Sequence, residues 1–93
     1  MNAEHIIGEL TIQVAADQRV QLLAAVARHS DDLALDLSNI SNCDSAGVQL
    51  LLATQRSVEQ RGGQFGICAA SDVVVQALKT YGLQYLHKPG ASA

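Results

Sequence analysis

The sequence predicts a small α/β protein in which helices cover a largely parallel sheet. Apolar residues alternate along the chain between strand-like and helix-like spacing, in the order strand, helix, strand, helix, strand, helix. Clusters of Gly, Ser, Asn and Asp punctuate the changes. With 93 residues, 48% of them hydrophobic and rich in Leu, Val and Ala, the chain holds enough aliphatic material for one thin core. Each strand-helix-strand step favours parallel pairing through a right-handed crossover.

Ile6 to Val14 has strand character, with Ile6, Ile7, Leu10, Ile12 and Val14 partly alternating, and Gly8 marks a bulge or a close backbone approach. From Asp17 the spacing becomes helical. Val20, Leu23, Ala24 and Ala27 form the expected inner stripe, Leu22 and Val26 widen it, and the helix should stop between His29 and Asp32. Leu33-Ala34-Leu35-Asp36-Leu37 reads as a short buried strand, and the polar stretch Ser38 to Ser45 as a loop. The strongest helix follows, starting near Ser45. Val48, Leu51, Leu52 and Gln55 line its expected face, Leu50, Ala53 and Val58 thicken it, and Gly62-Gly63 closes it. Gln64 to Ala69 reads as another strand. Ser71 is placed to cap a last helix through Tyr81, with Val74, Ala77 and Leu78 inward and Gly82-Leu83 ending it. Leu83 to His87 should add a short strand or pack down. Residues 1–88 are thus expected to form one domain, and 89–93 a frayed tail.

Composition excludes several classes of function. Net charge is −3, and Arg19, Arg28, Arg56, Arg61, Lys79 and Lys88 lie scattered, so no basic face for nucleic acid is expected. Phe65, Tyr81 and Tyr85 are the whole aromatic set, leaving few rings for stacking bases or sugars. No apolar run reaches the length of a membrane span, and Met1 to His5 does not open a secretory signal. Cys43 and Cys68 suit a reducing compartment, so the expected location is cytoplasmic. His5, His29 and His87 have no ligand spacing, and no metal or cofactor is expected. Glycines 62, 63 and 66 lack the order of a dinucleotide fingerprint. A nucleophile elbow would need Gly where Cys43 stands. No carboxylate pair with a fitting His suggests acid-base catalysis, so the chain is read as a binding protein and not an enzyme.

The segment that carries chemistry is Leu35 to Gly47, which places Asp44-Ser45-Ala46-Gly47 at the opening of the long helix, just beyond a strand end. Backbone N–H groups at such a start favour negative charge. A phosphate on Ser45 would add roughly −1.5 to −2 charges, tolerated by the helix start and opposed by Asp44. Gly47 is expected to keep the entrance uncrowded, so that a partner's backbone or a nucleotide phosphate could approach. Asp36 should bond loop N–H groups, Cys43 is read as a loop residue and Cys68 as strand core.

Asp36-Leu37-Ser38, then Asp44-Ser45-Ala46-Gly47 and Leu50-Leu51-Leu52, resemble the STAS domain, named for sulfate transporters and anti-sigma factor antagonists. Gly8-Glu9-Leu10 resembles its early strand, and Ser71-Asp72-Val73-Val74 through Tyr81-Gly82-Leu83 its last helix; together the likeness spans about residues 6 to 87. It implies a small mixed sheet flanked by helices, whose strand before Gly8 is here short or absent. It also implies that Ser45 is the serine a partner kinase phosphorylates, which releases the antagonist; Ala46 replaces the second serine of the usual pair. The surface so implied comprises Ser38, Asn39, Ser41, Asn42, Asp44, Ser45, Ala46 and Gly47. It would meet a serine kinase or anti-sigma factor, or a chemotaxis-type kinase. The alternatives are an accessory subunit docked on the ATPase of a membrane lipid transporter, and a nucleotide-binding domain or weak NTPase.

Overall fold

The computed structural model describes residues 3–29 and 31–89. Strands β1 (Glu4–His5) and β2 (Gly8–Leu10) lead through a 3-10 turn (Ile12–Val14) into helix α1 (Ala15–Arg28). Strands β3 (Leu33–Leu37) and β4 (Ile40–Cys43) precede helix α2 (Ser45–Gln60). Strand β5 (Phe65–Ala70), helix α3 (Asp72–Thr80) and a second 3-10 turn (Gln84–Leu86) complete the chain. One sheet has the order β1-β3-β5 and a second pairs β2 with β4, and every described pairing is parallel. The expected α/β fold is therefore present, with its strands shared between two small sheets.

The first apolar segment is not one strand. It pairs with β3 at Glu4 and His5, then crosses to pair with β4 from Gly8 onward. Gly8 makes the crossing, with φ at +98° and a register shift between it and Glu9. Beyond Leu10 the extended run ends, because Val14 N–H donates to the Thr11 carbonyl at 3.2 Å and turns the chain into α1. At the crossing, the Gln18 amide braces the kinked backbone, donating to Ile7 O at 2.9 Å and Glu9 O at 2.7 Å.

That bond sets the rotation of α1. Gln18, Leu22 and Ala25 face inward, whereas Val20 is 64% exposed and Leu23 46%. The stripe expected at Val20, Leu23, Ala24 and Ala27 is thus corrected, since a buried polar group with both its bonds made outranks aliphatic periodicity. Helix α2 starts at Ser45 as expected, but its inner face is Gly47, Val48, Leu51, Thr54 and Val58. Leu52 is half-buried and Ala53 exposed. Thr54 tolerates burial because its hydroxyl donates to the Leu50 carbonyl at 2.8 Å.

The stretch expected as a loop from Ser38 to Ser45 contains β4. Ile40 is buried, pairs with Gly8, and its carbonyl accepts the Ser71 hydroxyl at 2.7 Å. Ser71 therefore precedes α3 without capping it through its side chain. The helix ends at Thr80 and is closed by Gly82, with Leu83 N–H donating to the Leu78 carbonyl at 2.8 Å, the expected Schellman pattern. Leu86 packs down into the core, and His87 bridges Ile67 of β5. Lys88 follows β5 further, its backbone N–H on Ile67 O and its Nζ on Phe65 O. Of the tail expected at 89–93, all but Pro89 lies outside the described residues.

Candidate partner-binding site

The turn between β3 and β4 is braced from within. Asp36 Oδ1 accepts the Ser38 N–H at 3.0 Å and the Ser38 hydroxyl at 2.6 Å, and these bonds, the hydroxyl's first, hold its carboxyl below the usual range. This is the role expected of Asp36. Asn39 Oδ1 lies 2.8 Å from His5 Nε2, the Ser41 hydroxyl donates to Gly8 O at 3.2 Å, and Asn42 Oδ1 accepts the Cys43 N–H at 2.9 Å. Ser38, Asn39, Ser41 and Asn42 are all exposed, so they present one polar ridge whose shape is fixed by bonds to β1 and β2.

Asp44 caps α2 with both carboxylate oxygens engaged. Oδ1 accepts the Gly47 N–H at 3.1 Å and Oδ2 the Ile12 N–H at 3.0 Å. The Ile12 bond leads the causes that lower its carboxyl below the ordinary range, with Gly47 and Ala46 N–H adding to it. The N–H groups expected to attract a phosphate at this helix start are therefore already directed at the Asp44 carboxylate. Because folding lowers the affinity of Asp36 and Asp44 for protons, their contribution is complete above about pH 5 and fades as pH falls through the folded-state values. Asp44→Asn, still able to cap, should show a shallower loss of stability between about pH 5 and pH 2 than the wild type. Urea melts across that range test this, and parallel curves for the two proteins would refute it.

Cys43 is half-buried at the end of β4, and burial first, then the Asp44 charge, pushes its thiol up to about 11. It remains a protonated thiol at neutral pH, with no heightened reactivity. The Cys68 thiol approaches the Leu35 carbonyl at 3.3 Å inside the sheet.

Ser45 is the first residue of α2 and is exposed, and Ala46 beside it is half-buried. Gly47 does not hold the entrance open. It is buried, and a Cβ there would stand 2.0 Å from the Leu10 carbonyl oxygen, so its missing side chain is spent on packing α2 against β2. In front of Ser45 lies a groove of about 450 Å³, bounded on one side by Asn42 to Ser45 and on the other by the outer face of α3. Its carboxylates are Asp44 and Asp72, and no lysine, arginine or histidine lines it. The α3 side was not foreseen. The consecutive run Val73-Val74-Val75 held the signal, because a helix cannot turn three adjacent residues inward and Val74 takes the core position. Among the described residues, no helix is long and apolar enough to cross a membrane.

Comparison with known proteins places the fold among known ones. The chain is similar to an anti-sigma F factor antagonist of Paenibacillus polymyxa, 29% identical over 77 residues, covering 82% of this chain and 66% of that protein. It thus spans just under two thirds of that relative's length. Its fold is similar to that of the anti-sigma factor antagonist SpoIIAA in its unphosphorylated form, with a TM-score of 0.74 at 21% identity, over 98% of this chain and 84% of that one. The family model described as "Mlab, STAS domain" matches residues 5–88, and the chain belongs to the STAS domain family.

Proposed function

We propose that this protein is a non-enzymatic bacterial regulator of the anti-sigma factor antagonist type, with residues 1–88 acting as one unit. It binds a partner serine kinase or anti-sigma factor in the cytoplasm through the Ser38 to Gly47 surface and the start of α2. Phosphorylation of Ser45 releases the partner. The observation that carries this reading is the position of Ser45: exposed, at the first turn of α2, beside a cap that leaves its hydroxyl free of structural duty. The similarity to a protein named as an anti-sigma F factor antagonist supports the choice of partner class. The acidic lining of the groove argues against a nucleotide, whose phosphates would face Asp44 and Asp72 with no cation among the lining residues.

Because Asp44 supplies the cap, Ser45→Ala should change stability by no more than about 0.5 kcal/mol, the range of an ordinary surface substitution. A serine that capped the helix itself would cost more, about 0.5–2 kcal/mol. The Ala variant should hold its partner permanently. Ser45→Asp should fold and bind more weakly, since extra charge enters a contact that must exclude water. Phosphopeptide mapping of the chain from its native cells, together with partner retention by the three forms, tests the switch. Equal retention with no phosphate on Ser45 would make the protein a constitutive docking module, as expected of a subunit seated on a transporter ATPase.

A further inference from the structure

The groove in front of Ser45 continues along the whole of α3. Val73, Ala77 and Tyr81 succeed one another at four-residue spacing on its floor, which places them on one stripe of the helix. Val73 is 37% exposed and Tyr81 51%, while Val74 and Leu78 of the same helix supply the contacts with the core. The fold therefore makes little use of this stripe. Charge is unevenly placed along it: Asp44 and Asp72 stand at the Ser45 end, and the Tyr81 end is neutral apart from Lys79 nearby, which does not line the groove.

We propose that the α3 stripe is the second half of the partner surface, and that it receives an amphipathic, basic segment of the partner protein. A lysine or arginine of that segment sits between Asp44 and Asp72, and its apolar side chains cover Val73, Ala77 and Tyr81. The proposal rests on the reading of Ser45 as a partner-facing residue and adds what the partner must bring. The carboxylates select the sign of the partner's charge, and the apolar floor contributes by burial. Phosphorylation acts at the mouth of this groove. One partner cation is already matched by two carboxylates, so a phosphate brings bulk and about −1.5 to −2 of charge that this cation does not balance.

A fifteen-residue synthetic helix with a leucine stripe and lysines on one flank, and its counterpart with glutamate for lysine, serve as probes of this chemistry. Titrated into isotope-labelled protein, the basic peptide should shift the amide resonances of residues 42–45 and 72–81, and the acidic one should bind at least tenfold more weakly. Val73→Ser and Tyr81→Ser should each weaken the basic peptide at least threefold. Asp72→Asn should weaken it and flatten its dependence on salt. Val20→Ser, on the exposed side of α1, is the control and should bind as wild type. Shifts centred elsewhere, equal binding of the two peptides, or no binding would overturn the proposal. None of these outcomes touches the Ser45 switch, which is read from phosphate on Ser45 and partner retention. Loss of that switch with the groove's preference intact would instead remove the functional reading.

Discussion

Leu51→Ala should lower the free energy of unfolding by about 2–5 kcal/mol, while Leu52→Ala should cost less than half as much. Leu51 is fully buried in the cluster that joins α2 to the strands, and truncating it leaves a cavity between elements already fixed by Gly47 and Val58. Leu52 only flanks that cluster, so solvent and side-chain movement fill much of the space it vacates. For a domain of this size each kcal/mol corresponds to roughly 4–8 °C in Tm. Thermal and urea melts with unchanged m-values separate the two variants. Similar losses at both positions would mean that the inner face of α2 runs through Leu52.

Gly47→Ala should also be severe, and its sign runs against helix propensity. In an open helix the change would stabilise by up to about 1 kcal/mol. Here the new methyl meets the backbone of Leu10, with carbonyl oxygen and carbon at 2.0 and 2.7 Å, and neither can rotate away. Helix α2 must shift off β2, which strains the Asp44 bonds to Ile12 and Gly47 and the bond from Asp44 N–H to the Leu10 carbonyl. A cost of about 1–3 kcal/mol or more is expected from the overpacking. Partner binding should fall as well, because the ridge and the groove share this junction. A Gly47→Ala protein as stable as wild type would show that α2 is not clamped at its start.

Much of this architecture was legible in the residues. Strand β3, the start of α2 and the stops at Gly62 and Gly82 follow from short-range signals: a short run of Leu and Ala broken only at Asp36, a capping aspartate, and glycines with φ at +87° and +70°. What local patterns missed depends on distant partners. Nothing near Ile40 marks it as a strand residue until Gly8 and Ser71 are brought beside it. Gln18 reads as a surface residue until the kinked chain at Ile7 and Glu9 needs a donor. At the candidate site, the Asp-Ser-Ala-Gly run located Ser45 correctly in relation to the helix. It could not show that Gly47 answers to Leu10 or that α3 supplies the opposite wall of the groove.

The wholly parallel pairing bears on how the chain reaches this state. Glu4 meets Leu35, Gly8 meets Ile40 and Leu33 meets Phe65, so each ladder joins residues roughly thirty positions apart, and among the described residues no hairpin is available to start the sheet. Loop closure must be met before any strand gains a neighbour, which leaves helix formation within α1 and α2 as the early local event. Until both ladders close, Leu33-Ala34-Leu35 presents an apolar strand with two open edges. The central strand that holds the finished protein together is thus the segment most exposed to misassociation while it folds.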